Sequence, residues 1–153
     1  MSVARSLRVP IVMFGLFALL IAVAGCGGAG PVEVEMVSVS GIVTYEDGTF
    51  PTASNRWISF EPVERMQSLD NPKKSARAQI DEKTGQFVMS TVRNGDGVIV
   101  GKYKVVFIIY DEREDGTKVP MVAEEFSKAQ TTPIGEIDVT EAAEELKYTI
   151  RKP

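Results

Sequence analysis

The sequence predicts an all-β fold, a two-sheet antiparallel sandwich of about seven strands that follows an N-terminal signal peptide. Beyond residue 33, short apolar or alternating runs are separated by Gly, Pro, Asn and Asp, which is typical of strands joined by tight turns. These turn signals recur roughly every 8 to 12 residues, the spacing expected of a sandwich. No long segment has the apolar period of about 3.6 residues that a helix requires.

Each predicted strand is an alternating or wholly apolar run with turn residues at its ends. The strands are predicted over residues 37–45, 56–61, 76–80, 86–91, 102–110, 134–140 and 146–151. Residues 105–109 are too uniformly apolar for a strand with one wet face, so we expect this strand at the centre, covered on both sides. Gly85 ends a polar turn that predicts a hairpin between the third and fourth strands. Residues 141–145 are shorter than the roughly 12 residues of a marginal helix and predict a turn.

The longest predicted connection runs over residues 111–133, and a shorter polar loop is predicted at residues 62–74. The 111–133 connection joins a charged half, ending at Lys118, to an apolar half with one helical turn predicted at residues 123–126. Long loops often carry recognition because they vary at little cost to the scaffold, which makes Phe126 a candidate binding residue. The alternative is that Val122 and Phe126 fold back to cover the open end of the sandwich.

The N-terminus has the order of a signal peptide, with basic residues, an apolar run from Val9 and small residues before a cysteine. Val23-Ala24-Gly25-Cys26 resembles a bacterial lipobox. The resemblance implies cleavage before Cys26, a thioether-linked diacylglycerol on its sulfur and an N-terminal acyl chain such as palmitate. The alternatives are an ordinary cysteine of the apolar region or an uncleaved anchor, although the run is shorter than the roughly 20 residues that span a bilayer.

The expected domain plan is a signal peptide at 1–25, a lipidated cysteine and flexible glycine-rich tether at 26–33, and one sandwich at 34–153. Removal of residues 1–25 takes away two arginines and no acid, so 15 basic against 21 acidic residues leave a net charge of −6. An acidic chain with scattered cations argues against nucleic acid as a partner. We expect a monomer attached to the lipid bilayer through acylated Cys26. Because Gly27 rather than aspartate follows the cysteine, the outer membrane is favoured, with the domain on the periplasmic or cell-surface face.

Several short motifs occur in a characteristic order along the expected domain. They are SGIVTY at 40–45, ISFEP at 58–62, the polar turn and QF at 81–87, GDG at 95–97, GKYKV at 101–105 and TTPI at 131–134. Together they resemble small bacterial lipoproteins with a carboxypeptidase regulatory-like, transthyretin-like domain. The resemblance implies a prealbumin-like or immunoglobulin-like sandwich without known catalytic residues. The polar link at 50–55 is longer than in that group, which leaves the start of the second strand open.

The residue types present exclude most catalytic chemistry. The chain has no histidine, which removes serine–histidine and cysteine–histidine catalysis and histidine-bearing zinc sites. The same absence separates the chain from the transthyretin-like hydrolase that opens a ureide ring, whose site uses histidines. We therefore expect neither an enzyme nor a cofactor. A hydrolase that uses paired carboxylates is the remote alternative.

Three acidic turns are weak calcium candidates, represented by Asp81, Asp96 and Asp115. The alternative is favoured, because Asp and Gly are the residues that turns need for their own backbone geometry and none of the three has EF-hand spacing. Trp57 and Tyr45 offer stacking faces to a sugar or peptide, or else they pack in the core. The expected function is a non-enzymatic structural or protein-interaction module of the cell envelope, whose partner is an unknown envelope protein or glycan. Carbohydrate or small-ligand binding is the alternative.

Overall fold

The computed structural model describes residues 34–64 and 74–153, and the described residues form the all-β sandwich that the sequence predicts. The lipobox with Cys26, the predicted tether up to residue 33 and most of the predicted 62–74 loop lie outside the described residues. The strands are β1 (Met36–Val37), β2 (Val39–Tyr45), β3 (Asn55–Pro62), β4 (Ala76–Gln79), β5 (Gln86–Val88), β6 (Val98–Ile99), β7 (Gly101–Glu112), β8 (Lys118–Pro120), β9 (Glu136–Val139) and β10 (Ala143–Ile150). A short 3-10 helix spans Glu124–Ser127.

Two sheets carry most of the fold. One has the strand order β10-β2-β5, and the other has the order β4-β3-β7-β8 with β9 also paired to β7. Strand β7 pairs with β3 along one edge, and along the other with β9 near its start and β8 near its end. Its predicted central position is therefore confirmed. Strands β1 and β6 form a separate two-stranded ribbon.

The core lies between the inward faces of these two sheets, where the period-two pattern of the strands places alternate apolar residues. Phe107 on β7 is fully buried, and its ring meets those of Phe126 and Tyr148 edge-on at 6.2 and 5.9 Å. Tyr148 in turn stacks on Phe87 at 6.1 Å. This aromatic cluster joins the 3-10 helix, the centre of one sheet and two strands of the other.

The predicted count of about seven strands is too low, since the described residues form ten. The described strand pairs are antiparallel, as predicted, except that β10 runs parallel to β2. The predicted turn at residues 141–145 instead contains the start of β10, which has an irregular register and a positive φ of 60° at Glu145. Gly41 on β2 allows this close approach, because a Cβ there would lie 2.2 Å from the carbonyl oxygen of Leu146.

The predicted turn between β4 and β5 is present, but the two strands do not pair with each other as a hairpin. The turn closes through bonds from the Asp81 nitrogen to the Gln86 oxygen and from the Gly85 nitrogen to the Asp81 oxygen, both 2.8 Å. Strand β4 then pairs with β3 and β5 with β2, so the chain passes from one sheet to the other. A single bridge between Arg77 and Ser90 links the two arms. On β5 the Phe87 ring is buried in the core and lies over Gly41 of β2, where a Cβ would come within 2.8 Å of it.

Less of the segment at 111–133 is irregular loop than the sequence predicts. Residues 113–117 form the turn of a β7–β8 hairpin, and the helical turn predicted at 123–126 is the 3-10 helix. Val122 and Phe126 are buried in the core, and the Ala123 nitrogen donates to the Arg151 oxygen at 2.8 Å. The apolar half therefore covers the end of the sandwich, as in the alternative interpretation.

Candidate functional site

The outer face of the five-stranded sheet carries an open groove of about 300 Å³ beside Trp57. Strands β3 and β4 form one side of it, and the loop that follows β5 forms the other. We call it the Trp57 groove. Its lining comprises Trp57, Arg77, Ala78, Gln79, Ser90, Thr91, Val92, Arg93 and Asn94. Trp57 is 37% exposed and Val92 66% exposed, which makes them two of the few large apolar side chains at the described surface.

The register of β3 and β4 sets the groove side chains on one face. Trp57 lies directly opposite Gln79, while their neighbours Ile58 and Ala78 are paired on the opposite face and buried in the core. Arg77 precedes Gln79 by two residues and so shares its outward face, about 7 Å further along the strand. The alternation that builds the core therefore also builds this outward row.

A network of hydrogen bonds fixes the loop at residues 90–97. Arg77 and Ser90 exchange two backbone bonds of 2.8 and 3.0 Å, which hold the loop against β4. The Asp96 carboxylate accepts from the backbone nitrogens of Thr91, Val92 and Arg93 at 2.7, 2.9 and 2.7 Å. The loop therefore presents its residues from a preformed backbone rather than from a free chain.

Glycine at position 97 is a steric requirement of this loop. Gly97 has a φ of 96°, and a Cβ there would lie 2.3 Å from the carbonyl oxygen of Val37 on β1. The Thr91 hydroxyl donates to the Gly97 carbonyl at 2.7 Å, and the Gly95 nitrogen donates to the Ser90 hydroxyl at 2.8 Å. The groove wall is thus anchored to the ribbon of β1 and β6 behind it.

The carboxyl of Asp96 stays ionised in this setting. Partial desolvation by itself would raise its pKa, but the backbone donors at Thr91, Arg93 and Val92 outweigh that effect and lower the pKa. An ionised carboxylate accepts hydrogen bonds with both oxygens, which is what the loop geometry uses. Asp96, a calcium candidate from the sequence, therefore has its oxygens directed to its own loop.

The charge of the Trp57 groove is opposite to that of the whole chain. Its lining contains Arg77 and Arg93 and no carboxylate, while the chain carries a net charge of −4. Both arginines are exposed, and neither guanidinium has an ion pair among the described residues. The amides of Gln79 and Asn94 add neutral donors and acceptors beside the two cations.

The other two calcium candidates lie in separate turns. Asp81 accepts from the nitrogens of Lys83 and Thr84 at 2.9 and 2.8 Å and from the Thr84 hydroxyl at 2.9 Å, and these bonds lower its pKa. Asp115 accepts from the Thr117 nitrogen at 2.9 Å, with the same effect on its pKa. Within the described ranges no three acidic or cysteine side chains come together as a ligand cluster. The structure therefore does not bring Asp81, Asp96 and Asp115 to a shared site.

The remaining candidate aromatic residues are part of the interior. Tyr45 is buried, and its hydroxyl donates to the Met121 carbonyl at 2.7 Å. Phe126, the candidate binding residue of the long loop, is 8% exposed and packs on Phe107. Of the three aromatic residues considered for binding, Trp57 is the one that the structure leaves open to a ligand.

One cavity is lined by two neighbouring carboxylates, Glu124 and Glu125. Glu124 pairs with Lys128 and Glu125 pairs with Arg151. The hydrogen bond from Lys128 lowers the pKa of Glu124, whereas a general acid in glycoside hydrolysis needs a raised pKa. These two acids are arranged as surface ion pairs.

Sequence reasoning identified Trp57 but missed Arg77, Gln79 and Arg93. A signal for the first two exists, since they alternate with Ala76 and Ala78 in a predicted strand and must share its outward face. Their position beside Trp57 depends on the pairing of β3 with β4, which alternation alone does not specify.

No protein-family model, curated protein or solved structure matches this chain. In the described part of the chain, no helix is long and apolar enough to cross a bilayer. The basis for a functional proposal is therefore the chemistry of the residues themselves.

Proposed function

We propose that this chain is a cell-envelope lipoprotein, anchored to a membrane through acylated Cys26, whose β-sandwich is a non-enzymatic binding module. The sandwich is proposed to be a domain of the carboxypeptidase regulatory-like type, acting as a monomer on the periplasmic or cell-surface side, with the outer membrane favoured. The proposal assigns the N-terminal segment to anchoring and the outer faces of the sandwich to recognition.

The observation that carries the anchoring proposal is the motif Val23-Ala24-Gly25-Cys26 at the end of the apolar run. It contains the only cysteine of the chain, so no internal disulfide competes for the thiol. Each acyl methylene in a bilayer contributes about 0.8 kcal/mol, and two or three acyl chains hold a protein nearly permanently. Strand β1 begins at Met36, ten positions after this cysteine, which would keep the sandwich close to the membrane.

The recognition proposal has two candidate partner classes, an envelope protein and a glycan. The Trp57 groove favours the glycan, because an exposed aromatic ring with a polar rim is typical of small-ligand sites. Tryptophan offers a large flat apolar face, while arginine and amide side chains supply the directional bonds that hydroxyl-rich ligands need. For the edges of the sheets, the partner class that we propose is an envelope protein.

Detergent phase partitioning tests the anchoring proposal. The full chain expressed in a bacterium is expected in the detergent phase, and Cys26→Ser is expected to leave it, either as a released protein or as an uncleaved precursor. Gly30→Ala is the matched control, since it changes one small residue of the predicted tether and keeps the thiol. A detergent fraction unchanged by Cys26→Ser contradicts the anchoring proposal, whatever the sandwich binds.

A further inference from the structure

We propose that the Trp57 groove binds an acidic glycan. In this complex Trp57 stacks on a sugar ring, and Arg77 and Arg93 pair with carboxylate or sulfate groups of the glycan. The inference rests on the glycan candidate of the proposed function and specifies its chemical class. It assigns a role to two arginines that the sequence analysis did not single out.

The cation content of the groove argues for an anionic ligand. Elsewhere on the described surface, five basic side chains pair with carboxylates. These pairs are Arg56–Glu82, Lys104–Glu136, Lys128–Glu124, Arg151–Glu125 and Lys152–Asp47. Several other described basic residues, such as Lys83, Lys102 and Arg113, also have no ion pair. Arg77 and Arg93 differ from these in that they line one groove together, with no carboxylate in its lining. A guanidinium group binds carboxylate or sulfate with two parallel hydrogen bonds, which gives both affinity and orientation.

The partly exposed indole of Trp57 argues for a sugar rather than for an isolated anion. Its partner across β3 and β4 is Gln79, and the buried Ile58 and Ala78 face the other way, so the indole is held at the surface by the sheet. A sugar ring has an apolar C–H face that packs on an aromatic plane and hydroxyls that bond to amides. Gln79 and Asn94 are the neutral partners for those hydroxyls.

The fixed loop argues that the groove is ready for a ligand before it arrives. Asp96, Ser90 and Gly97 hold residues 91–95 through bonds that do not involve the side chains of Arg93 or Asn94. Binding therefore orders side chains but not the backbone, which lowers the entropic cost of association.

The intrinsic fluorescence of Trp57 reports directly on the groove, since it is the only tryptophan in the chain. The full-length protein in detergent micelles is titrated with a hexamer of galacturonic acid and with a heparin hexasaccharide. The methyl-esterified galacturonate hexamer is the neutral control of equal length, and hexaglutamate is the acidic control without sugar rings. We expect a saturable change with at least one acidic oligosaccharide, weaker in high salt because the ion pairs are screened.

Three variants connect the response to the proposed contacts. Arg77→Gln and Arg93→Gln should each weaken binding of the acidic oligosaccharide by about tenfold, the usual effect of losing a charge-assisted bond. Arg113→Gln makes the same charge change in the β7–β8 turn and should leave the affinity unchanged. Trp57→Ala, followed by calorimetry because the fluorophore is lost, should also weaken binding by about tenfold or more.

Each alternative outcome contradicts a defined part of the inference. Equal affinity for the methyl ester would retain a glycan site but refute the anionic class. Equal or tighter binding of hexaglutamate would indicate an acidic peptide site instead. No response to either acidic oligosaccharide, or equal effects of the Arg113 and Arg77 variants, would overturn the inference. None of these results affects the partitioning of Cys26→Ser, so the anchoring proposal is tested separately.

Discussion

Asp96→Asn is a sharp test of the loop that forms one wall of the Trp57 groove. In the native loop, one carboxylate oxygen accepts from the Thr91 nitrogen and the other accepts from the nitrogens of Val92 and Arg93. An asparagine side chain has a single acceptor oxygen, and its NH₂ group would face backbone N–H groups that also donate. At least one of the three bonds must therefore be lost, and the remaining bonds lose their charge assistance.

The expected cost follows from these bonds. A hydrogen bond to a charged group contributes about 1.5–3 kcal/mol, and the partial exposure of Asp96 places the loss near the lower end, at about 2 kcal/mol. For a domain of this size, that loss corresponds to a fall in Tm of roughly 6–12 °C. Asp138→Asn is the matched control, because Asp138 is exposed on β9 and makes no side-chain hydrogen bond or ion pair among the described residues.

The dependence on pH gives a second readout. Because the pKa of Asp96 is lowered by folding, its carboxylate stabilises the fold above the unfolded-state pKa of about 3.9. That contribution is lost as the pH falls through the folded-state pKa. Thermal unfolding followed by circular dichroism should therefore show a large difference between wild type and Asp96→Asn at neutral pH and a smaller one at strongly acidic pH. Equal Tm values for the Asp96 and Asp138 variants at neutral pH would refute the reasoning.

Two further predictions concern packing in the sandwich. Phe107→Ala removes a fully buried ring that contacts Phe126 and Tyr148, and it should lower the free energy of unfolding by about 3–5 kcal/mol. Lys118→Ala loses only a cation–π contact at 4.7 Å with the Tyr110 ring, and it should lower the free energy of unfolding by less than about 1 kcal/mol. Denaturant unfolding checks both, and equal stabilities would contradict the central role of β7. Gly97→Ala should lower the Tm more than Gly116→Ala: both glycines have positive φ, but a Cβ at position 97 meets the Val37 carbonyl at 2.3 Å and one at position 116 meets nothing within 4 Å. An equal loss at the two positions would mean that the loop does not press against β1.

The central strand and the core were predictable because their signals are local. Residues 105–109 are uniformly apolar, and the structure surrounds this strand with β3, β8 and β9. Alternation also predicted the inward faces of β2 and β10, where Val43 and Tyr148 are buried. In each case a single segment carries the whole pattern, so no knowledge of its neighbours was needed.

Pairing between distant segments was not predictable in the same way. The parallel run of β10 along β2 depends on the bulge near Glu145 and on the absence of a side chain at Gly41, and neither shows in the period of the strand. Likewise, the Gly85 turn predicted a hairpin, but β4 pairs with β3 and β5 pairs with β2, and a turn alone does not specify these partners.

The Trp57 groove likewise combines residues that the sequence made noticeable with a contact between distant segments that it did not reveal. Trp57 stood out by residue type, and the GDG turn at 95–97 stood out by its glycines. The groove needs both, together with Arg77, and their meeting depends on the Arg77–Ser90 bridge between segments that are 13 positions apart. Phe126 illustrates the opposite case, since an apolar loop residue was a candidate for binding until its contact with Phe107 placed it in the core.

The anchoring proposal is tested most directly by the mass of the mature N-terminal peptide. This mass is measured on protein extracted from the membranes of the expressing bacterium, and it reports whether Cys26 is the first residue and carries lipid. We predict that the mature chain starts at Cys26 and carries a diacylglycerol on the sulfur with an acyl chain on the amino group. An N-terminal peptide that begins elsewhere, or one in which Cys26 is an unmodified thiol, would contradict the proposal that this sandwich is held at a membrane by lipid.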